Sequence, residues 1–559
     1  MTNESTLINL KQYSLPNSKH TSKIAGSIHP SIPKPGFDIY DYEMLFKDQQ
    51  TKELIRKGRT IGCFYIESPG MRSLLQKLDC DNFEMLTAAS SIIRPGVAES
   101  GMMQEFIARH KNPKLRQYLV PEMKEYLGET YGVMIYQEDV IKVTHHIVGL
   151  SLEEADYLRR AMSGKMRSRD AMKKLHERFF ASCENQKFST KTAKQLWHQI
   201  ASFAGYSFCK AHSASFALLS FQVAYLKAHH PAEFMANVLN NGGGFYSAGV
   251  YINECKRMGL KVLLPSINES NYRYEGRFPE IRIGLMSIRN IEKETMLKIV
   301  EERKANEKFT SLADFINRTR TSYEKAKILI KCGAMDCLNE TRPTLMRLAD
   351  IYYNSKGILN DGFIENLFSR EILLMENDVK TKRQYTASEI CSLEQECFGF
   401  TVTHHPIEFI RDIYDSPEIV KAKDLAKNQN RKIKMVGWFM TSKRIKTKNG
   451  DIMKFLSLED LSATFEAVIF PKTYSKYAEL TISMGPYLVE GIADLENGNN
   501  IIVSKLEVLS NKKALEFVQK DSLKNRYYGE TEKVTEEELE VVKSLGKEKL
   551  RKAYIQNSA

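Results

Sequence analysis

The sequence predicts a multidomain protein in which a large, mostly α-helical region comes first, a unit of paired short helices follows, and an all-β barrel comes last. Apolar residues recur at helical spacing up to about residue 270. Short helical segments around IGLMSIRNIEKETMLKIVEER and ILIKCGAMDCL lie before residue 350, and from 431 to 508 the spacing changes to that of β-strands. A chain of 559 residues is long enough for about three to five domains.

Composition and charge narrow the classes of function. The chain has 81 Lys and Arg against 69 Asp and Glu, and a net charge of +12 favours an anionic partner, although many basic proteins have only a solvated surface. The nine cysteines include no C-x-x-C pair, which argues against zinc ribbons and disulfides and for a reducing compartment. No signal pattern and no membrane-spanning segment is found, so we expect a cytoplasmic protein without a membrane partner.

Residues 1–36 are rich in Ser, Pro and Gly and predict a flexible leader, and residues 37–270 predict one large helical domain. Within this domain, GYSFCKAHSASFALLSFQVAYLKAHHP contains a run of 16 residues without Asp, Glu, Lys or Arg. The run is shorter and more polar than the stretch of about 20 apolar residues that spans a bilayer. Its apolar residues at helical spacing predict a buried helix, and they are Phe216, Leu219, Val223 and Leu226.

Cations at helix ends and turns in this domain are candidates for phosphate contacts, namely Arg94, Arg159, Arg160, Lys165, Lys210 and His212. Lys210 and His212 precede or begin the charge-free helix, and a helix N-terminus with cations nearby favours an anion. The alternative is a capped core helix with a solvated lysine. Arg94 precedes a turn and either reaches a phosphate or braces the loop. The other three lie near a helix C-terminus, where the helix dipole alone favours cations.

The second half of the chain predicts four segments. Residues 271–350 hold the paired helices, residues 351–430 are a polar connector, and residues 509–559 are a charge-rich tail. Between them, residues 431–508 indicate five strands with a short helical stretch after the third, which predicts a barrel of the OB type. Lys443, Arg444 and Lys446 cluster with aromatic residues at the first hairpin, a combination suited to single-stranded nucleic acid, although strand aromatics are also common in cores.

Six motifs follow one another in a characteristic order, at residues 60–72, 93–96, 136–139, 155–162, 205–212 and 224–231. With them, the chain from about Asp38 to about Val508 resembles the bacterial DNA polymerase III α subunits, the C-family replicative DNA polymerases. The resemblance implies that residues 37–270 are the fingers, that residues 271–350 are a tandem helix-hairpin-helix that binds DNA, and that the barrel is the OB domain near the emerging single strand. The candidate cations would then neutralise phosphates of primer-template DNA and of the incoming nucleotide.

Two further elements of this family depart from its usual pattern. Helix-hairpin-helix turns use glycines so that backbone N–H groups approach a phosphate. Here the first turn carries Asn290 and Glu292, which adds a negative charge, and the second turn keeps Gly333. The connector contains IENLF, whose Leu367 and Phe368 resemble the end of a sliding-clamp peptide without its leading Gln; the alternative is an amphipathic packing segment.

Polymerase chemistry needs two metal ions held by carboxylates, which this family carries in a palm domain ahead of the fingers. We find no counterpart of that palm in this sequence. Asp79 and Asp81 have the spacing of a carboxylate pair but lie in a linker where the family has no catalytic residue. We therefore expect no catalytic residue, no metal site and no bound cofactor in this chain, while Mg²⁺ and deoxynucleoside triphosphates would serve the complete polymerase.

The resulting hypothesis is a DNA-replication component that binds primer-template DNA and single strands. It would extend a primer only with a palm-containing polymerase fragment, and the sliding clamp is a second candidate partner. The alternative is a catalytically inert protein that binds primer-template junctions or single-stranded DNA.

Overall fold

The computed structural model describes residues 36–93, 101–161, 169–202, 209–242, 244–354, 379–447, 449–495 and 498–509. The chain forms two compact units, one up to Leu45 and one from Phe46 onward. In the short unit, the carboxylates of Asp38 and Asp41 accept hydrogen bonds from the backbone N–H groups of Tyr40 and Met44, at 2.9 and 3.0 Å. Asp41 thereby stands directly ahead of the first helix.

The first half of the chain consists of α-helices joined by turns and short loops. Helices α1 to α7 are Tyr42–Lys47, Gln49–Arg56, Pro69–Lys77, Phe83–Ile92, Met102–Lys111, Met123–Leu127 and Gln137–Lys142. One turn of π-helix, Val143–Ile147, follows α7. Helices α8 to α13 are Leu152–Arg160, Arg169–Asn185, Thr190–Ser202, Lys210–His229, Pro231–Asn241 and Ala248–Arg257. A capping box formed by Ser151 and Glu154 begins α8.

Helix α11 contains the charge-free run, and its buried face differs from the predicted one. Leu219 is 41% exposed, and Phe216, Val223 and Leu226 are only half-buried. The buried positions are mostly small, including Ser213, Ala217, Ser220 and Ala224. They meet α4, whose buried residues Thr87, Ala88, Ser90 and Ser91 are also small.

Hydrogen bonds explain how Ser91, Ser213 and Ser220 can be buried between α4 and α11. The hydroxyl oxygens of Ser91 and Ser213 lie 2.7 Å apart across the interface. Ser220 donates its hydroxyl to the carbonyl of Phe216 in its own helix, at 2.8 Å. Because these hydroxyl groups find partners without water, small polar side chains can line a close helix contact, and the apolar spacing alone misidentified the buried face.

The middle of the chain combines a small sheet with further helices. Strands β1, β2 and β3 are Lys261–Leu263, Glu275–Arg277 and Glu280–Arg282, in the order β1-β3-β2, with β1 parallel and β2 antiparallel to β3. Helices α14 to α18 are Lys293–Asn306, Leu312–Thr319, Tyr323–Lys331, Arg342–Asn354 and Ala387–Phe398. One continuous hydrophobic core joins these elements to α12 and α13. The sheet was not predicted.

The last part is a closed five-stranded barrel. Its strands β4 to β8 are Lys432–Lys446, Ile452–Glu459, Thr464–Ile469, Tyr487–Asp494 and Asn500–Val508, preceded by α19, Arg411–Tyr414. The order around the barrel is β4-β5-β6-β8-β7, and only β6 and β8 pair in parallel. Helix α20, Pro471–Tyr477, lies between β6 and β7. This arrangement confirms the predicted OB-type barrel.

Polar contacts fix the barrel to the helical part. The guanidinium of Arg72 in α3 donates to the hydroxyl of Thr464 at 2.7 Å and to the carbonyl of Gly58 at 2.8 Å. Arg257 at the end of α13 donates to the carboxylate of Glu459 at the end of β5, at 2.6 Å. Two separate helices therefore set the orientation of the barrel.

Candidate nucleic-acid interface

The N-terminus of α11 and the C-terminal end of α8 both contact the short helix α7. The backbone N–H of Lys210, the first residue of α11, donates to the carboxylate of Glu138 in α7 at 2.9 Å. The guanidinium of Arg159 at the end of α8 donates to the side-chain oxygen of Gln137 in the same α7, at 2.8 Å. Cations from two distant motifs are thus gathered around a short helix that carries a third motif.

Carboxylates already balance these cations. The ammonium group of Lys210 lies 2.7 and 2.9 Å from the two oxygens of Glu129 and 5.5 Å from the centre of the Tyr136 ring. Arg159 and Arg160 share the carboxylate of Asp156, at 2.7 and 2.8 Å. The hydrogen bond from Arg159 is the main cause that lowers the pKa of Asp156. A phosphate arriving here would compete with acidic side chains for the same donors.

The Lys210–Glu129 pair is well placed for such competition. Their side chains are 44% and 50% exposed, respectively. Ion pairs in that environment contribute only about 0–1 kcal/mol, because water solvates both partners well when they separate. The free-energy cost of displacing Glu129 from Lys210 by a phosphate is therefore small.

Aromatic rings continue this surface along α11. The ring of His212 stands edge-on to that of Phe216 with centroids 4.4 Å apart. Tyr65 stacks on the same Phe216 ring at 4.7 Å and an interplanar angle of 10°, and Phe64, which is 47% exposed, lies 5.7 Å away. Partly exposed rings beside cations can stack on nucleic-acid bases. Sequence reasoning missed this group, and its only signal was the adjacent aromatic pair inside the motif at residues 60–72.

The first helix-hairpin-helix turn has the backbone shape that a glycine usually provides. Asn290 adopts a left-handed conformation with φ of +61°, which Asn tolerates better than most residues. Glu292 is paired with Lys325, whose ammonium lies 2.5 Å from its carboxylate, and this hydrogen bond is the main cause that lowers the pKa of Glu292. The negative charge noted in the sequence is therefore balanced from α16.

The second turn is closely packed. Gly333 has a φ of +82°, and a Cβ atom there would come within 2.1 Å of the Arg342 guanidinium. Asp336 holds that guanidinium with hydrogen bonds of 2.8 and 2.7 Å, and the carbonyl of Lys331 accepts a third at 3.1 Å. Both the conformation and the lack of space require glycine at this position.

The three candidate residues of the barrel lie on both faces of β4. Successive side chains of a strand point to opposite faces, so Lys443 points away from Arg444 and Lys446. Lys443 and Lys446 are exposed, and Arg444 is half-buried. The rings of Trp438 and Phe439 pack against two different hydrophobic clusters.

Four candidate residues, Arg94, Lys165, Leu367 and Phe368, lie outside the described residues.

Within the described ranges, no three His, Cys, Asp or Glu side chains gather in a way that could hold a metal ion. Asp79 instead faces Arg56, with their charged atoms 3.7 Å apart. In the same ranges, every helix is too short or too polar to cross a bilayer.

Comparison with known proteins identifies the family. Residues 32–187 match the family model for the bacterial DNA polymerase III alpha subunit finger domain, and residues 259–345 match a helix-hairpin-helix motif. DNA polymerase III subunit alpha of Staphylococcus aureus strain MRSA252 is 32% identical over 499 residues, which are 88% of this chain and 46% of that protein. The same subunit of Aquifex aeolicus strain VF5 is 33% identical over 486 residues, 85% of this chain and 40% of that protein. The chain spans less than half the length of these relatives, and it belongs to the family of bacterial DNA polymerase III α subunits.

Proposed function

We propose that this chain works in DNA replication as the fingers, helix-hairpin-helix and OB part of a DNA polymerase III α subunit. It binds primer-template DNA and the phosphates of the incoming nucleotide, while the metal-binding carboxylates come from outside the described residues. Its place of action is the cytoplasm, where bacterial DNA is copied. The observation that carries this proposal is the meeting of weakly paired cations and partly exposed rings at the N-terminus of α11.

The cations and the rings support two different contacts. Lys210 and the two arginines of α8 can exchange carboxylates for phosphates, because both anions accept charge-assisted hydrogen bonds from Lys and Arg. Phe64, Tyr65 and Phe216 offer ring faces and edges to a base. A nucleotide or a primer-template junction presents both a phosphate and a base, and this surface offers cations to the first and rings to the second.

Elements farther along the chain add contacts to the DNA itself. The helix-hairpin-helix match supports duplex binding through the turn at Gly333. Lys443, Arg444 and Lys446 of the barrel stay candidates for the single strand, with the two faces of β4 serving different neighbours. The clamp contact of Leu367 and Phe368 also stays a prediction.

Salt-dependent DNA binding tests the phosphate contacts. We expect the double variant Lys210→Ala with His212→Ala to bind a fluorescent primer-template more weakly at low salt. Its plot of log affinity against log salt should be less steep by about one for each phosphate that the variant no longer neutralises. The control is Lys427→Ala, whose side chain is 78% exposed and distant in sequence from this surface. An unchanged slope would assign Lys210 and His212 a purely structural role.

Primer extension tests the polymerase role. The chain is mixed with a palm-containing fragment of a relative, Mg²⁺ and deoxynucleoside triphosphates, and extension of a labelled primer is followed. Extension that requires both proteins supports the proposal. If both proteins bind primed DNA and no extension follows, the chain is the catalytically inert DNA-binding protein of the alternative hypothesis.

A further inference from the structure

The loop that carries Phe64 and Tyr65 is held from behind by a buried lysine. Lys227, near the C-terminal end of α11, is only 2% exposed. Its ammonium group donates to the backbone carbonyls of Arg59 and Ile61 at 2.8 and 2.7 Å, and to the carboxylate of Glu254 at 2.7 Å. An ammonium group has three donors, and all three are used.

The charge of Lys227 is balanced inside the protein. Glu254 of α13 lies between Lys227 and Arg257. Burial alone would raise the pKa of Glu254, but the two cations outweigh it and lower the pKa to about 2. A buried charge is costly unless it is paired and hydrogen-bonded. The pair with Glu254 therefore allows Lys227 to stay charged although its side chain is buried.

A second buried charge closes the same loop. One carboxylate oxygen of Glu67 accepts the backbone N–H of Gly62 at 2.8 Å, and the other accepts that of Phe245 at 2.7 Å. Tyr65, which lies between Gly62 and Glu67 in the sequence, is held in the left-handed region at φ of +68°. Such a conformation is costly in a non-glycine residue and persists only where the surroundings enforce it.

We propose that Lys227 is a positioning residue for nucleic-acid binding. By holding the carbonyls of Arg59 and Ile61, it fixes the loop of residues 60–67 so that Phe64 and Tyr65 project beside Phe216. Helix α11 then carries one side of the ring group on its N-terminal half and anchors the other side from its C-terminal end. This inference rests on the proposed function of the ring surface.

A lysine suits this task better than an apolar side chain. A methionine would fill similar space, but it would remove the donor from the buried carbonyl of Ile61 and from the partly buried carbonyl of Arg59. The backbone would then relax towards other partners, because an unsatisfied buried polar group is expensive. The loop would lose its unique position while the rest of the helical core stays packed.

Hydrogen exchange tests the anchor without any ligand. We expect Lys227→Met to speed amide exchange in the peptide that spans residues 60–67, while exchange in α4 stays as in the wild type. The matched control is Lys454→Met, which removes another buried lysine, 8% exposed, from the barrel. Unchanged exchange in the loop peptide of a folded Lys227→Met variant would overturn the proposal. If that variant does not fold, Lys227→Met combined with Glu254→Gln removes both charges and is measured in its place under the same criterion.

A double-mutant cycle connects the anchor to DNA. Affinity for a primer-template carrying 2-aminopurine in the template at the junction is measured for Phe64→Ala, Lys227→Met and the double variant. We expect each single change to weaken binding on the order of tenfold, as for loss of one stacking ring, and the double variant to be no weaker than Lys227→Met. Lys227→Arg, which keeps donors at this position, should recover part of the affinity and of the 2-aminopurine signal.

The outcomes separate the two proposals. If Phe64→Ala weakens binding and Lys227→Met does not, or if the two effects multiply to about a hundredfold, the positioning role is overturned and the ring surface stands. If Phe64→Ala itself changes nothing, the ring surface is not the DNA site, and both proposals fall together.

Discussion

The two ends of helix α11 carry the same kind of ion pair in opposite surroundings. At the N-terminal end, Lys210 lies 2.7 Å from Glu129, with side chains 44% and 50% exposed. At the C-terminal end, Lys227 lies 2.7 Å from Glu254, with side chains 1% and 9% exposed. Equal distances therefore describe two different interactions. In the exposed pair, Lys210 can exchange Glu129 for a ligand, whereas the buried pair of Lys227 and Glu254 stabilises the fold.

Replacing the lysine of each pair should give the largest difference in stability between the two ends of α11. We expect Lys227→Met to destabilise the protein by about 3–5 kcal/mol, because it leaves Glu254 buried with one cation fewer and two carbonyls without donors. Lys210→Met should cost about 1 kcal/mol or less, since water solvates both members of the Lys210–Glu129 pair. Thermal midpoints of the two variants, followed by circular dichroism, measure the difference. Equal midpoints would show that burial does not distinguish the two ends.

A pair of buried carboxylates extends the comparison to pH. Glu254 has two cations beside it, and its pKa is about 2. Asp139 in α7 is also buried, but its closest partners are the backbone N–H groups of Ile135 and Tyr136, both at 2.9 Å. Burial therefore prevails and raises the pKa of Asp139 to about 7. One of these acids favours the charged form and the other favours the neutral form.

The Asp139→Asn variant should show this difference as a change in stability with pH. A carboxyl group with a raised pKa contributes stability below its unfolded pKa of about 4 and loses that contribution as the pH rises to its folded value. The amide side chain of the variant would keep an acceptor for both N–H groups and would not ionise. The free energy of unfolding of the variant, relative to that of the wild type, should therefore rise by a few kcal/mol between about pH 4 and pH 7. Thermal midpoints across this range check the sign. A constant difference between the two proteins would contradict the raised pKa.

Removing the acid from the exposed pair should have the smallest effect. It should strengthen binding of DNA, whereas removing Lys210 weakens it. We expect Glu129→Gln to release Lys210 and to tighten binding of primer-template DNA or a deoxynucleoside triphosphate by a few-fold at low salt, with little change in stability. The gain should fade as salt screens the contact. Glu125→Gln on the neighbouring α6 removes the same charge from an exposed site and is the matched control. Weaker binding by Glu129→Gln would mean that this carboxylate holds Lys210 in its binding position.

Local patterns in the sequence were sufficient for much of the fold. β-strand spacing and the helical stretch after the third strand predict the barrel, and helical spacing predicts α11. The ordered motifs pointed to the family. These features depend on residues close together in the chain, so the sequence displays them directly.

Tertiary structure alone decided which of these residues work together. Phe64 meets Phe216, Glu129 pairs with Lys210, and Lys227 supports the loop of residues 60–67, although each pair is far apart in the chain. The buried face of α11 was misjudged for the same reason, since small serines are buried only when a partner helix such as α4 comes close. A side chain's exposure and partners are set by the elements packed against it, and no local pattern specifies them.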